Sequence, residues 1–167
     1  MLEIGNHVFT EAEEKTHFSL WAIIKSPLII GAALKDTYTS IPATSLAIMK
    51  NKDVIGYNQD SLGVAASFVR RWTEEGYEIW AGPLSGNRTV AALINNLNTA
   101  RTLNFDLATV GIQKAGVMKD VWHNYTAKHI LGSYTGVPIE AHGTLLLEFG
   151  ETTPAGHYDS TSMAISG

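Results

Sequence analysis

The chain has 167 residues, 45% of them hydrophobic and 17% charged, a composition that suits a folded protein with a sizeable core and excludes disorder over most of its length. Net charge is −4, with 5 Lys against 7 acids over residues 1–60 and 7 Lys/Arg against 9 acids over residues 61–167; no basic run exists, which argues against nucleic acid as a partner. Cysteine is absent, which excludes disulfides, thiolate metal sites and a cysteine nucleophile.

In chain order, Thr10 followed by Glu13 predicts a capping box and a helix start. Phe18, Trp21 and Ile24 follow at helical spacing with Leu20 beside them, and Pro27 is expected to end the helix. Pro27-Leu28-Ile29-Ile30-Gly31 is a short apolar run that suits a strand buried on both faces, as in a parallel sheet. A second helix is predicted over residues 42–50, with Leu46 and Met49 inward. Helix–strand–helix is α/β order, and one strand with two helices cannot bury its own faces. After Asp60 the period changes to two. Leu103, Phe105 and Leu107 alternate with polar residues, Leu145, Leu147 and Phe149 repeat the pattern, and Tyr77, Ile79 and Ala81 follow it more loosely. Ser85-Gly86-Asn87 marks a hairpin turn before a strand over residues 89–94. The expected organisation is therefore α/β over residues 1–60, an antiparallel β-sandwich over 64–150, and a Ser/Thr/Gly-rich tail or linker over 151–167.

Residue patterns carry little chemistry by themselves. The six histidines, His7, His17, His123, His129, His142 and His157, show neither i, i+4 pairing nor an HExxH pattern, so no metal site is expected. No G-x-G-x-x-G or Walker-type loop appears, and no cofactor is expected. Ser61 and Ser85 lie near glycines without forming a G-x-S-x-G elbow. The early carboxylates are Glu3, Glu11, Glu13, Glu14, Asp36, Asp53 and Asp60; three of them fall in a helix first turn, where capping explains them, and Asp60, between the two halves, reads as an anchor for backbone amides. Trp21 sits at a helix-core position, whereas Trp72 and Trp80 flank a hairpin turn and are expected to be the more exposed. Asn87-Arg88-Thr89 and Asn124-Tyr125-Thr126 are N-glycosylation sequons. No stretch is long and apolar enough for a bilayer, so no membrane partner is expected, and no leader pattern opens the chain.

Met1-Leu2-Glu3-Ile4-Gly5-Asn6 resembles the motif that follows an Asp-Pro-Asp in the α-galactosidases (melibiases) of glycoside hydrolase family 27. His17-Phe18-Ser19-Leu20-Trp21-Ala22, Lys25-Ser26-Pro27-Leu28-Ile29-Ile30-Gly31, Asn51-Lys52-Asp53-Val54-Ile55 and Asn58-Gln59-Asp60-Ser61-Leu62-Gly63 continue the resemblance. Trp80-Ala81-Gly82-Pro83-Leu84-Ser85, Asp120-Val121-Trp122 and Ala141-His142-Gly143-Thr144 carry it into the second half more loosely.

The resemblance implies the last units of a (β/α)₈ TIM barrel followed by an antiparallel C-terminal β-sandwich. Active sites of such barrels lie at the C-terminal ends of the strands. The family hydrolyses terminal α-D-galactosyl residues with retention, using an aspartate nucleophile and an aspartate acid/base about 5 Å apart. Both are expected upstream of Met1, so no catalytic residue is expected in this chain and the chain alone is predicted inactive. Met1 is the one sugar-contacting position implied, and a start at this internal methionine suggests a truncated gene model or an alternative start. The implied partners are an α-galactoside substrate and the N-terminal part of the barrel. The implied location is secretion, with a leader on the missing front. Galactose, N-acetylgalactosamine and arabinopyranose stay open as the sugar. The alternative is a non-catalytic carbohydrate-binding or interaction module with Trp72, Tyr77 and Trp80 exposed in a row. The strand over residues 28–30 is expected to have bare edges, so the chain expressed alone should be poorly soluble or partner-seeking unless residues 1–60 fold back on the sandwich, and deleting residues 1–60 should then improve solubility.

Overall fold

A computed structural model describes residues 1–33 and 41–156. Asp36, His157 and the last part of the expected tail lie outside the described residues.

Helix α1 (Glu11–Ile23) starts where the capping box predicts. The Thr10 hydroxyl accepts from the Glu13 amide at 3.3 Å, and the Glu13 carboxylate accepts from the Thr10 amide at 2.8 Å. The helix ends before Pro27. Lys25 takes a left-handed conformation (φ 61°), the Lys25 amide donates to the Ala22 carbonyl and the Ser26 amide to the Trp21 carbonyl, which is a Schellman closure. The buried face of α1 is Ala12, Glu14, Phe18, Ser19, Ala22 and Ile23, so the expected inward stripe is rotated and Trp21 and Ile24 are only half-buried. Helix α2 (Ala43–Met49) buries Ser45, Ile48 and Met49, while Leu46 is half-buried. Helix α3 (Lys52–Asn58) has no counterpart in the predicted elements. The Asn51 side chain caps it by accepting from the Asp53 and Val54 amides, and Val54 and Tyr57 face the core.

The predicted strand at residues 27–31 reduces to one parallel bridge between Leu2 and Ile30. The Leu2 amide donates to the Ile29 carbonyl at 2.7 Å and the Gly31 amide to the Leu2 carbonyl at 3.0 Å. The parallel sense is as expected. Two-faced burial is not: Ile29 and Ile30 are 55% and 42% exposed.

The second half is antiparallel throughout its named strands. A six-stranded sheet runs in the order β1 (Ser67–Trp72), β2 (Tyr77–Leu84), β3 (Arg88–Asn95), β8 (Thr144–Pro154), β5 (Ile112–Asp120), β6 (Tyr125–Leu131). A two-stranded sheet, β4 (Arg101–Asp106) with β7 (Ser133–Ile139), covers one of its faces. β8 reaches Pro154 and pairs with β5 as far as Ile112, so residues 151–154 are strand and not tail.

β4 follows the predicted alternation, with Leu103 and Phe105 buried between exposed Thr102, Asn104 and Asp106. The central strands do not. β3 and β8 are buried on both faces, because the large sheet lies between two cores. Ala91, Leu93, Leu145, Leu147 and Phe149 pack toward β4 and β7. Val90, Ala92, Ile94 and Leu146 pack against Phe18, Ala22, Ile23, Ile48 and Val54 of the helices. Residues 1–60 therefore fold onto the sandwich and share a core with it.

Candidate functional site

The parallel bridge fixes a direction. Segments that follow Leu2 and Ile30 leave at the same, C-terminal end of the paired strands, the end that carries chemistry in parallel barrels. Helix α1 holds the first segment in place. Buried Glu14 accepts from the Gly5 amide at 2.7 Å, and Gly5 has φ +85°, where an added Cβ would approach the Ile41 side chain at 3.1 Å. The Asn6 side-chain NH2 donates to the Glu3 carboxylate at 2.6 Å. His17 lies between Phe9 and Trp21, with ring centroids 5.4 and 5.5 Å away, and its Nε2 accepts from the Glu3 amide at 3.3 Å. Burial, helped by the chain's amino terminus, lowers the His17 pKa against the opposing pull of Glu3 and Glu14. A neutral ring with Nε2 as acceptor fits that direction. Met1 stands at the start of this segment, 67% exposed and beside Gly31.

Asp60 joins the helical part to the sandwich. Its side chain is 3% exposed and accepts from the Ser85 amide (2.8 Å), the Ser85 hydroxyl (2.7 Å), the Leu62 amide (3.1 Å) and Arg88 (2.8 Å). Burial pushes the Asp60 carboxyl up, but the Ser85 and Leu62 donors and the Arg88 charge outweigh it and hold the pKa below the ordinary value. Arg88 also pairs with Glu148 at 3.2 Å, and Glu148 accepts from the Tyr57 hydroxyl at 2.7 Å. Burial and the adjacent Glu148 carboxylate push the Tyr57 hydroxyl pKa up. Lys25 donates to the Tyr57 carbonyl, and Asn58 donates to the Ser26 carbonyl at 2.8 Å. Asp60 thus anchors backbone amides, as its place in sequence suggests, whereas Arg88, Glu148 and Tyr57 carry no local motif and meet only in space.

The aromatic row expected for a carbohydrate module is not formed. Trp72 and Tyr77 are cross-strand partners, stacked at 4.5 Å, on the face turned toward β4 and β7. Trp80 packs on the opposite face, with its indole N–H on Glu78 at 3.0 Å. Period-two alternation along β2 puts Tyr77 and Trp80 on opposite sides. Asn87 and Asn124 both occupy exposed turns with left-handed backbone, φ 55° and 50°. The Asn87 side chain donates to the Thr152 carbonyl at 3.2 Å. Among the described residues no three His, Asp or Glu side chains converge as a metal site, and no helix is long and apolar enough to cross a membrane.

Two segments bridged in parallel, covered by helices and packed on an antiparallel double sheet, fit the closing units of an α/β barrel joined to a β-sandwich. Residues 1–60 match the family described as alpha galactosidase A, and residues 74–149 match the alpha galactosidase C-terminal beta sandwich domain. The chain belongs to the α-galactosidase family, glycoside hydrolase family 27, and corresponds to the C-terminal part of its members. It is 58% identical over 166 residues to a protein named "Probable alpha-galactosidase D" from Aspergillus flavus, covering 99% of this chain and 25% of that protein. Alpha-galactosidase D of Emericella nidulans is 47% identical over 165 residues, covering 98% of this chain and 24% of that protein. The chain thus spans about a quarter of the length of the curated relatives it matches. Among solved structures, alpha-galactosidase I from Mortierella vinacea superposes with a TM-score of 0.80 at 28% identity, covering 92% of this chain and 39% of that one.

Proposed function

We propose that this chain is the barrel-closing and sandwich part of an α-galactosidase that removes terminal α-D-galactosyl residues from oligosaccharides and glycoconjugates. One observation carries the reading: Leu2 and Ile30 form a parallel bridge, yet Ile30 and the flanking Met1 and Ile29 are exposed, as strands of a closed barrel are not. The remaining barrel strands would cover them. The two aspartates that the family resemblance implies, one forming a galactosyl-ester intermediate and one protonating the leaving oxygen and then activating water, come on this reading from sequence outside these 167 residues. The present residues position the segment after Leu2 through Glu14 and His17, and Met1 contacts the sugar from its start.

Secretion and N-glycosylation at Asn87 and Asn124 belong to the same proposal, supported by the exposure of both turns. The test is a chimaera that joins the preceding part of the Aspergillus flavus relative to these 167 residues, assayed on a nitrophenyl α-galactoside. The chimaera is expected to hydrolyse it and the 167 residues alone are not. Turnover by the 167 residues alone, or a folded but inactive chimaera, overturns the proposal.

A further inference from the structure

Two clefts of about 340 and 280 Å³ adjoin at His123 and Pro138, between α1 and the sandwich on one side and along β7 on the other. Each is close to the lower end of small-ligand sites, which span about 300–1,000 Å³. We propose that together they form a binding groove for a neutral oligosaccharide.

The groove is built on a fixed imidazole. The Asp120 carboxylate is fully buried, accepts from the His123 amide at 3.3 Å and lies 2.8 Å from His123 Nδ1. That bond leaves Nε2 of a half-exposed ring to serve a ligand. The Tyr134 ring lies nearly parallel to that of Tyr125, with 6.4 Å between centroids. Tyr125 is 50% exposed, although large aromatic rings of a folded domain usually find cover. In the larger cleft, Trp122 is held by an indole N–H bond to Ser19 at 2.9 Å and has the Lys15 ammonium over its ring at 6.0 Å; Glu140 lines the same cleft.

Planar apolar faces therefore alternate with donors and acceptors. A pyranose offers the matching pattern, an apolar C–H face and a rim of hydroxyls. Both charge signs line the groove, Lys15 and Glu140, which disfavours an anionic ligand such as a phosphate. The choice of galactomannan as probe rests on the α-galactosidase reading; the groove itself rests on the residues named.

The test is affinity electrophoresis of the 167-residue chain in gels with and without galactomannan. Retardation in the galactomannan gel is expected, with the apparent affinity falling about tenfold in Tyr125→Ala and in His123→Ala and unchanged in Trp72→Ala. Tyr125 and His123 are exposed enough that both variants should fold, and circular dichroism checks this; His123→Gln, which keeps a polar side chain at that position, should retain part of the affinity. Absence of retardation in the unmodified chain, equal retardation of all variants, or loss in Trp72→Ala overturns the groove. An active chimaera without retardation sinks the groove alone, whereas retardation with an inactive chimaera sinks the catalytic proposal alone.

Discussion

Deleting residues 1–60 should unfold or aggregate the sandwich rather than solubilise it. An unpaired strand edge is an aggregation hazard, and the sequence alone left open whether residues 1–60 fold back on the sandwich. The structure changes the balance. Leu84, Val90, Ile94, Val121 and Leu146 line the sheet face that α1, α2 and α3 cover, and all are nearly or fully buried. Full burial of such a side chain is worth about 1.5–3 kcal/mol, so uncovering these five forfeits about 8–15 kcal/mol. Even discounted for residual compactness of the unfolded chain, this is comparable with the whole stability of a domain, about 5–15 kcal/mol. Loss of the Asp60 contacts to Ser85 and Arg88 adds to it. The assay compares the full chain and a variant starting at residue 61 by soluble yield, size-exclusion chromatography and urea unfolding. A soluble, monomeric deletion variant with a cooperative transition would refute the shared-core reasoning.

Further outcomes follow from contacts at four positions, Asp60, His17, Gly82 and Glu14. Asp60→Ala strips acceptors from the Ser85 and Leu62 amides and should cost about 2–4 kcal/mol in urea unfolding; Asp60→Asn, which keeps one acceptor, should cost less. Because the folded-state pKa of Asp60 is lowered, its contribution is complete above the unfolded carboxyl range near pH 4 and is lost as pH falls through the lower folded value, a loss the Asn variant should not share. His17 also has a lowered pKa, so stability should decline as pH falls below about 6.5, and His17→Phe should flatten that part of the profile in thermal melts. Gly82→Ala would put a Cβ 2.6 Å from the Ala66 Cα, a backbone contact that cannot move aside easily, and should lower stability by about 1–3 kcal/mol. Glu14→Ala should leave the Gly5 amide without its buried acceptor and speed its hydrogen exchange without moving exchange in β3 or β8.

Local signals in the sequence set the start of α1, the turn at Gly86 and Asn87, and the alternation of β4, because each is decided by neighbouring residues: a capping box, a left-handed turn position, a two-residue period. Helix α3 was legible in principle from Asn51 followed by Asp53, a capping side chain at a helix start, but its seven residues, about two turns, carry too little periodicity to stand out. The motifs shared with α-galactosidases gave the family and the order of the two parts. What they could not give was contact across the boundary. β3 and β8 look half-buried or uniformly apolar depending on the window, and only the helices on one face and β4 with β7 on the other make both faces inward. Arg88, Glu148 and Tyr57 lie up to 91 positions apart, and Tyr134 of β7 comes near the Asp120–His123 turn from the other sheet. Sequence determined which segments could be helix or strand and what family they resemble. Tertiary structure decided which faces are buried and which side chains meet, since burial and hydrogen-bond partnership depend on neighbours in space, and local periodicity holds no record of those.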